Sequence, residues 1–109
     1  MIVPACTLAD SRQSLDLAAL SCAENEAKVY ATVGIHPHHV PTADAFEATM
    51  VELDELAGSP HCRAVGECGL DYSESPAESQ VLYFAAQVDL AIKLKLPLFS
   101  ALKSNLFLN

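Results

Sequence analysis

An α/β fold built on a parallel sheet is predicted by three features of the sequence. Apolar, strand-length runs recur near residues 2–6, 29–35, 63–68 and 96–100, and each gap between them holds a stretch with helical apolar spacing. The result is three βα units of roughly thirty residues followed by one more strand, which suits crossover connections between parallel strands. The runs are continuously apolar and rich in β-branched residues instead of alternating, as strands covered on both faces are.

Taken in order, Ile2-Val3-Pro4-Ala5-Cys6 is the first strand, with Pro4 marking an edge or an irregular position. Asp10-Ser-Arg-Gln13 has the form of a capping box, and Leu15, Ala18, Ala19 and Cys22 give the helix behind it one apolar face, fraying by Asn25. Val29 to Ile35 is the second strand, and Pro37 stops it near His36 because it cannot continue a ladder. Asp44-Ala-Phe-Glu47 offers a second capping box. Phe46, Met50, Leu53 and Ala57 line that helix, and Gly58 fits its C′ position. Ala64 to Cys68 is the third strand. Ser75-Pro76-Ala77-Glu78 combines a serine cap, proline at N1 and glutamate at N3, and Val81, Phe84, Ala85, Val88 and Ile92 read as the apolar face that follows. Lys93 and Lys95 favour the negative end of that helix, and Leu96-Pro97-Leu98-Phe99 opens the fourth strand.

Composition narrows the function classes. The 109 residues suffice for one small core, and 51% of them are hydrophobic. A net charge of −8 argues against a broad electrostatic footprint on nucleic acid, but suits an acidic pocket holding divalent metals that face a phosphate. The four cysteines form no C-x-x-C pair or zinc-finger spacing and read as reduced thiols. No secretory leader opens the chain and no apolar run is long enough to span a bilayer. The expectation is a soluble intracellular protein, cytoplasmic or nuclear, with no membrane partner.

The strongest candidate for chemistry is Glu67, in Gly66-Glu67-Cys68-Gly69-Leu70-Asp71-Tyr72. A carboxylate at the carboxyl end of an inner strand is costly to bury unless a cation, a proton or several donors lie beside it. Carboxyl ends of parallel strands are also where ligands bind. A capped or salt-bridged structural glutamate is the competing reading. Asp71 is either a helper carboxylate on the same face as Glu67 or the start of a turn. His36, His38 and His39 suggest metal ligation, but Pro37 spoils the His-x-His geometry. His36 therefore reads as a substrate-facing or loop residue, His38 and His39 as solvated, and His61 as a surface residue. No G-x-G-x-x-G, Walker glycine loop or G-x-S-x-G elbow is present, which disfavours a flavodoxin-like nucleotide binder and a serine hydrolase.

Gly34-Ile35-His36-Pro37-His38, Gly66-Glu67-Cys68-Gly69-Leu70-Asp71-Tyr72 and the Gln-x6-Gln-x3-Ala run from Gln80 into Leu96-Pro97 together resemble the TatD family of metal-dependent deoxyribonucleases. The resemblance covers residues 2–99 and implies a partial (β/α)8 TIM-type barrel, about strands two to five with three intervening helices. Residues 1–99 would be the partial barrel domain and residues 100–109 a divergent tail. It further implies strands in sequential order with all three helices on one face. The implied activity is hydrolysis of DNA phosphodiester bonds, 3′ to 5′, with two divalent metal ions (Mg, Mn or Zn). Glu67 would be catalytic and ligate or bridge the metals, and His36 would touch substrate at the mouth of the site. The family's Asp-x-His-x-His segment is absent, and Ala101 and Lys103 stand where the family has a histidine ligand and an arginine. The chain thus reads as truncated at both ends, with one metal ligand of the set. The alternative is a non-catalytic half-barrel that binds a partner chain, or a second copy, through open sheet edges.

Overall fold

The computed structural model describes residues 2–23, 29–71 and 77–103. Strands β1 (Ile2–Val3), β2 (Tyr30–Val33), β3 (Cys62–Asp71) and β4 (Leu98–Lys103) alternate with helices α1 (Leu8–Ala23), α2 (Phe46–Ala57) and α3 (Ala77–Leu94). Short 3-10 turns occupy Pro37–His39 and Ala43–Ala45. All strand pairs are parallel, and the order is β1-β2-β3-β4. Helix α2 touches both α1 and α3, so the helices form one layer. A single apolar cluster lies between that layer and the sheet. It draws Leu15 and Ala18 from α1, Ala31 and Val33 from β2, Leu53 and Ala57 from α2, and Leu90 and Ala91 from α3. This is the one-sided, sequential arrangement of a partial barrel. Among the described residues the sheet is open, with β1 and β4 outermost.

The strands shift against expectation, for a shared reason. β1 and β2 are shorter than their apolar runs because the backbone beyond them bonds elsewhere than in a ladder. The Ala5 N–H donates to Thr32 Oγ1 at 3.0 Å, and the Gly34 N–H donates to Ser11 Oγ at 3.1 Å. β3 instead runs on to Asp71, pairing with β4 through Asp71 and Lys103.

Helix ends also differ. α1 begins at Leu8, so Asp10 is inside its first turn and not its cap. Thr7 is the cap: its Oγ1 accepts from the Asp10 N–H at 3.0 Å, while Asp10 Oδ2 accepts from the Cys6 N–H at 3.3 Å. Two amides at the helix start are thus met by side chains, three residues earlier than the sequence suggested, with Asp10 reaching the residue before the cap instead of the cap itself. At α2 the Asp44–Glu47 box does not form; the 3-10 turn at Ala43–Ala45 leads into the helix, and the cap position Ala45 offers no side-chain acceptor. Gly58 closes α2 in the right-handed region, not as a left-handed C′ residue. The Ser75-Pro76 cap lies outside the described residues, as do Asn25 and Tyr72. At the far end of α3, Lys95 takes φ 57 and the Leu96 N–H bonds back to Ala91 O at 2.9 Å, a Schellman ending without glycine.

The largest correction concerns α3. Its sheet-facing stripe is Gln80, Tyr83, Gln87, Leu90 and Ala91, all buried. Val81 and Ile92, expected in the core, are 47% and 71% exposed. The apolar positions pointed to the wrong face because two buried glutamines occupy the right one.

Candidate functional site at the carboxyl ends of the strands

The segments that follow β1 and β2 meet each other and the middle of β3. Ala5 O accepts the Glu67 N–H at 2.7 Å, and Cys6 O accepts the His36 N–H at 2.9 Å. Two successive carbonyls after β1 therefore hold the two residues the sequence singled out. The glycines make this approach feasible. A Cβ on Gly34 would lie 2.6 Å from the Gly66 carbonyl carbon, and one on Gly66, at φ +154, would lie 2.4 Å from Phe99 O.

Glu67 sits at a β-bulge. Gly66 pairs with Phe99 and Cys68 with the next residue, Ser100, so Glu67 is the extra residue on β3. A bulge frees one residue from the ladder and re-aims its side chain, which explains why the Glu67 N–H is available to Ala5. The side chain is half-buried. Its charge reaches both flanking thiols. Burial, then Glu67, pushes Cys68 up to about 12; burial, then Glu67 and Asp10, raises Cys6. Both remain neutral thiols at ordinary pH. Cys6, Cys62 and Cys68 are free thiols.

His36 is half-buried and caps the turn that follows it: the His38 N–H donates to His36 Nδ1 at 3.1 Å. A backbone N–H can only donate, so Nδ1 is unprotonated and the ring proton sits on Nε2. Pro37 is buried at N1 of this turn, as a residue without an N–H can be.

His38 is not simply solvated. Its Nε2 lies 2.5 Å from Asp71 Oδ2, and the Asp71 side chain is 5% exposed. The sequence offered Asp71 as a helper to Glu67 or a turn residue; it ends β3 and pairs with His38. The bulge breaks the alternation on which the shared-face expectation rested. His39 is exposed, and His61 is half-buried.

Two functional candidates went unrecognised. Gln87 Oε1 accepts from the Ile35 N–H at 2.8 Å and Gln80 Oε1 from the Asp71 N–H at 2.7 Å, directly beside or at site residues. The signal was the Gln-x6-Gln spacing, which sets both amides on one helical face.

Among the described residues no three His, Cys, Asp or Glu side chains come together as a metal shell. A divalent centre needs several ligands and an open position, so these residues do not hold one unaided. Among the described residues no helix is long and apolar enough to cross a membrane.

The family model described as TatD related DNase matches residues 1–100. The "3′-5′ ssDNA/RNA exonuclease TatD" of Erwinia amylovora is 39% identical over 101 residues, covering 91% of this chain and 37% of the relative. Its namesake in Erwinia tasmaniensis is 37% identical over the same coverage. Among solved structures, an uncharacterized amidohydrolase from Saccharomyces cerevisiae superimposes with TM-score 0.76 at 26% identity, over 94% of this chain and 36% of that one. The chain thus spans little more than a third of the relatives it matches.

Proposed function

The chain belongs to the family of TatD-related DNases, and from that premise we propose that it supplies the Glu67–His36 part of a metal-dependent phosphodiesterase acting on 3′ ends of DNA. The relatives' names extend the substrate class to single-stranded RNA. The observation that carries this reading is the bulge at Glu67, which takes a carboxylate out of the ladder beside the segment that holds His36. In this reading the neutral His36 ring donates its Nε2–H to a phosphate oxygen. Glu67 is one ligand of a centre for two divalent ions, Mg, Mn or Zn. Such a centre needs donors beyond the described residues. The division into a barrel portion, residues 1–99, and a tail, residues 100–109, is part of this proposal, although β4 continues across that boundary to Lys103. A reducing compartment belongs to the same proposal, given the free thiols. The half-barrel alternative draws on β1 and β4 being the outer strands; it requires a partner chain that binds without Glu67.

Manganese titration of the purified chain, followed by paramagnetic broadening and by release from 3′-labelled single-stranded DNA, tests this. We expect weak broadening centred on Glu67, as a lone carboxylate in fast exchange with the ion gives, its loss in Glu67→Gln, and no hydrolysis above background. The metal-free melting temperature of Glu67→Gln should hold or rise, because a half-buried carboxylate gives way to an uncharged amide of the same size. Unchanged broadening in Glu67→Gln would sink the ligand role. Hydrolysis that survives repurification and vanishes in Glu67→Gln would show that the chain needs no further donors.

A further inference from the structure

Gln80 and Gln87 lie about two turns apart on one face of α3, and both side chains are fully buried. Each makes the same two-point contact with one residue of a strand end. Gln87 Oε1 accepts from the Ile35 N–H at 2.8 Å while its Nε2 donates to Ile35 O at 3.3 Å and to Tyr83 O at 3.1 Å. Gln80 Oε1 accepts from the Asp71 N–H at 2.7 Å while its Nε2 donates to Asp71 O at 2.9 Å. Because the backbone N–H groups can only donate, both amide orientations are settled. Each glutamine reproduces what a neighbouring strand's peptide would offer, at a place where the strand has left or is leaving its ladder.

What the two amides hold is connected. Ile35 leads directly into His36, whose Nδ1 accepts from the His38 N–H. The His38 ring in turn lies against the Asp71 carboxylate. The chain of contacts runs Gln87, Ile35, His36, His38, Asp71, Gln80, and closes through the backbone of α3. We propose that Gln80 and Gln87 are positioning residues for the phosphodiesterase reaction: through this closed circuit they fix the His36 ring as the Nε2–H tautomer and set its direction. The proposal rests on the reading of His36 as a substrate contact. Neither amide touches substrate; both act through the histidines. An apolar side chain would fill the same space without holding either strand end, because the freed backbone groups would have no partner.

The test reads ring nitrogens instead of turnover. With 15N-labelled histidine in the full chain, the wild-type His36 Nδ1 should give the signal of an unprotonated acceptor and Nε2 that of an N–H. Gln87→Met should move both toward tautomer-averaged positions. It should also speed Ile35 amide exchange at least tenfold, with less than a twofold change at Ala31 and Val65. Gln80→Met should do the same to the Asp71 amide and shift the His38 ring, and the His36 ring with it. In the double variant the His36 signals should move no further than in the more affected single variant, since one circuit is opened only once. Gln87→Glu keeps the acceptor for the Ile35 N–H and loses the donor, so it should fall between wild type and Gln87→Met. If the methionine variants do not fold, the same readings on Gln87→Glu decide. Wild-type His36 signals in the folded variants, or exchange that rises equally at all amides, would overturn the positioning role. Manganese broadening that persists unchanged in Glu67→Gln counts against the functional proposal alone, because the ring signals depend neither on metal nor on turnover.

Discussion

The two ends of the helix layer are built from different materials. At the carboxyl end of the sheet the buried helix residues are polar: Ser11 and Ser14 on α1, Thr49 on α2, Gln80 and Gln87 on α3. Toward the amino end they give way to Leu15 and Ala18, Leu53 and Ala57, and Leu90 and Ala91. Each helix runs antiparallel to the strands, so each starts at the rim and finishes over the core. The apolar end obtains its stability from area removed from water. The polar end obtains fixed backbone positions, because a buried hydroxyl or amide must find partners, and Ser11, Gln80 and Gln87 find them at Gly34, Asp71 and Ile35. One end holds the fold; the other aims residues.

This contrast can be broken or sharpened by substitution. The largest effect belongs to the apolar end. Leu53 is fully buried, and Leu53→Ala should cost ~2–5 kcal/mol in urea unfolding, while the histidine ring signals of the folded fraction stay where they were. Movement of those signals would mean that the two ends are not independent. Next is Ser11→Ala, which deprives the buried Gly34 N–H of its acceptor. A loss of about 2 kcal/mol is expected, with amide exchange rising at Gly34 far more than at Val33. A uniform rise would place Ser11 with the core.

A third effect, smaller for each pH unit, is read by pH. The ordinary thiol value is 9.0, and in the folded chain Cys68 keeps its proton up to about 12, through burial and then the charge of Glu67. Between those values the unfolded chain has lost a proton that the folded chain retains. Folding then binds a proton, and stability falls as pH rises, by ~1.4 kcal/mol per unit. Cys68→Ala should flatten this segment of the profile, and an unchanged slope would remove Cys68 from the account. The smallest effect lies on the outside. Lys93 meets Asp54 at 2.7 Å with both side chains largely exposed, so Lys93→Ala should change stability by less than ~1 kcal/mol and lose even that in high salt.

The same contrast explains what could be read from the sequence. Element order and parallel pairing followed from apolar periodicity, because Val33, Val65 and Leu53 obey it, and the one-sided helices followed from the family resemblance. The rim did not, because its buried positions are polar. In α3 the search for an apolar stripe settled on Val81 and Ile92, which face solvent, and passed over Gln80 and Gln87. In α1 it began at Leu15 and missed Ser11, one turn earlier on the same face. Glu67 and His36 were singled out from glycine spacing and from resemblance to a family motif. The pairing of His38 with Asp71 was not, since it joins residues from different strand ends and depends on an irregularity in β3.

That irregularity gives β3 a parity. Counted regularly, Gly66 and Cys68 would point to one side of the sheet; their partners Phe99 and Ser100 are consecutive, so the extra residue between them turns over everything that follows. Removing one residue at Glu67 would make Gly66 and Cys68 ordinary neighbours facing opposite sides, so Asp71 would stay opposite Lys103 and on the side of His38, and only the carboxylate lifted out of the ladder would be lost. A homologous sequence aligned with a one-residue gap there would keep its glycines, its aspartate and its histidines, and the pair with them, and would lack the bulge alone. At this position the length of the strand carries information that the identities of its residues do not.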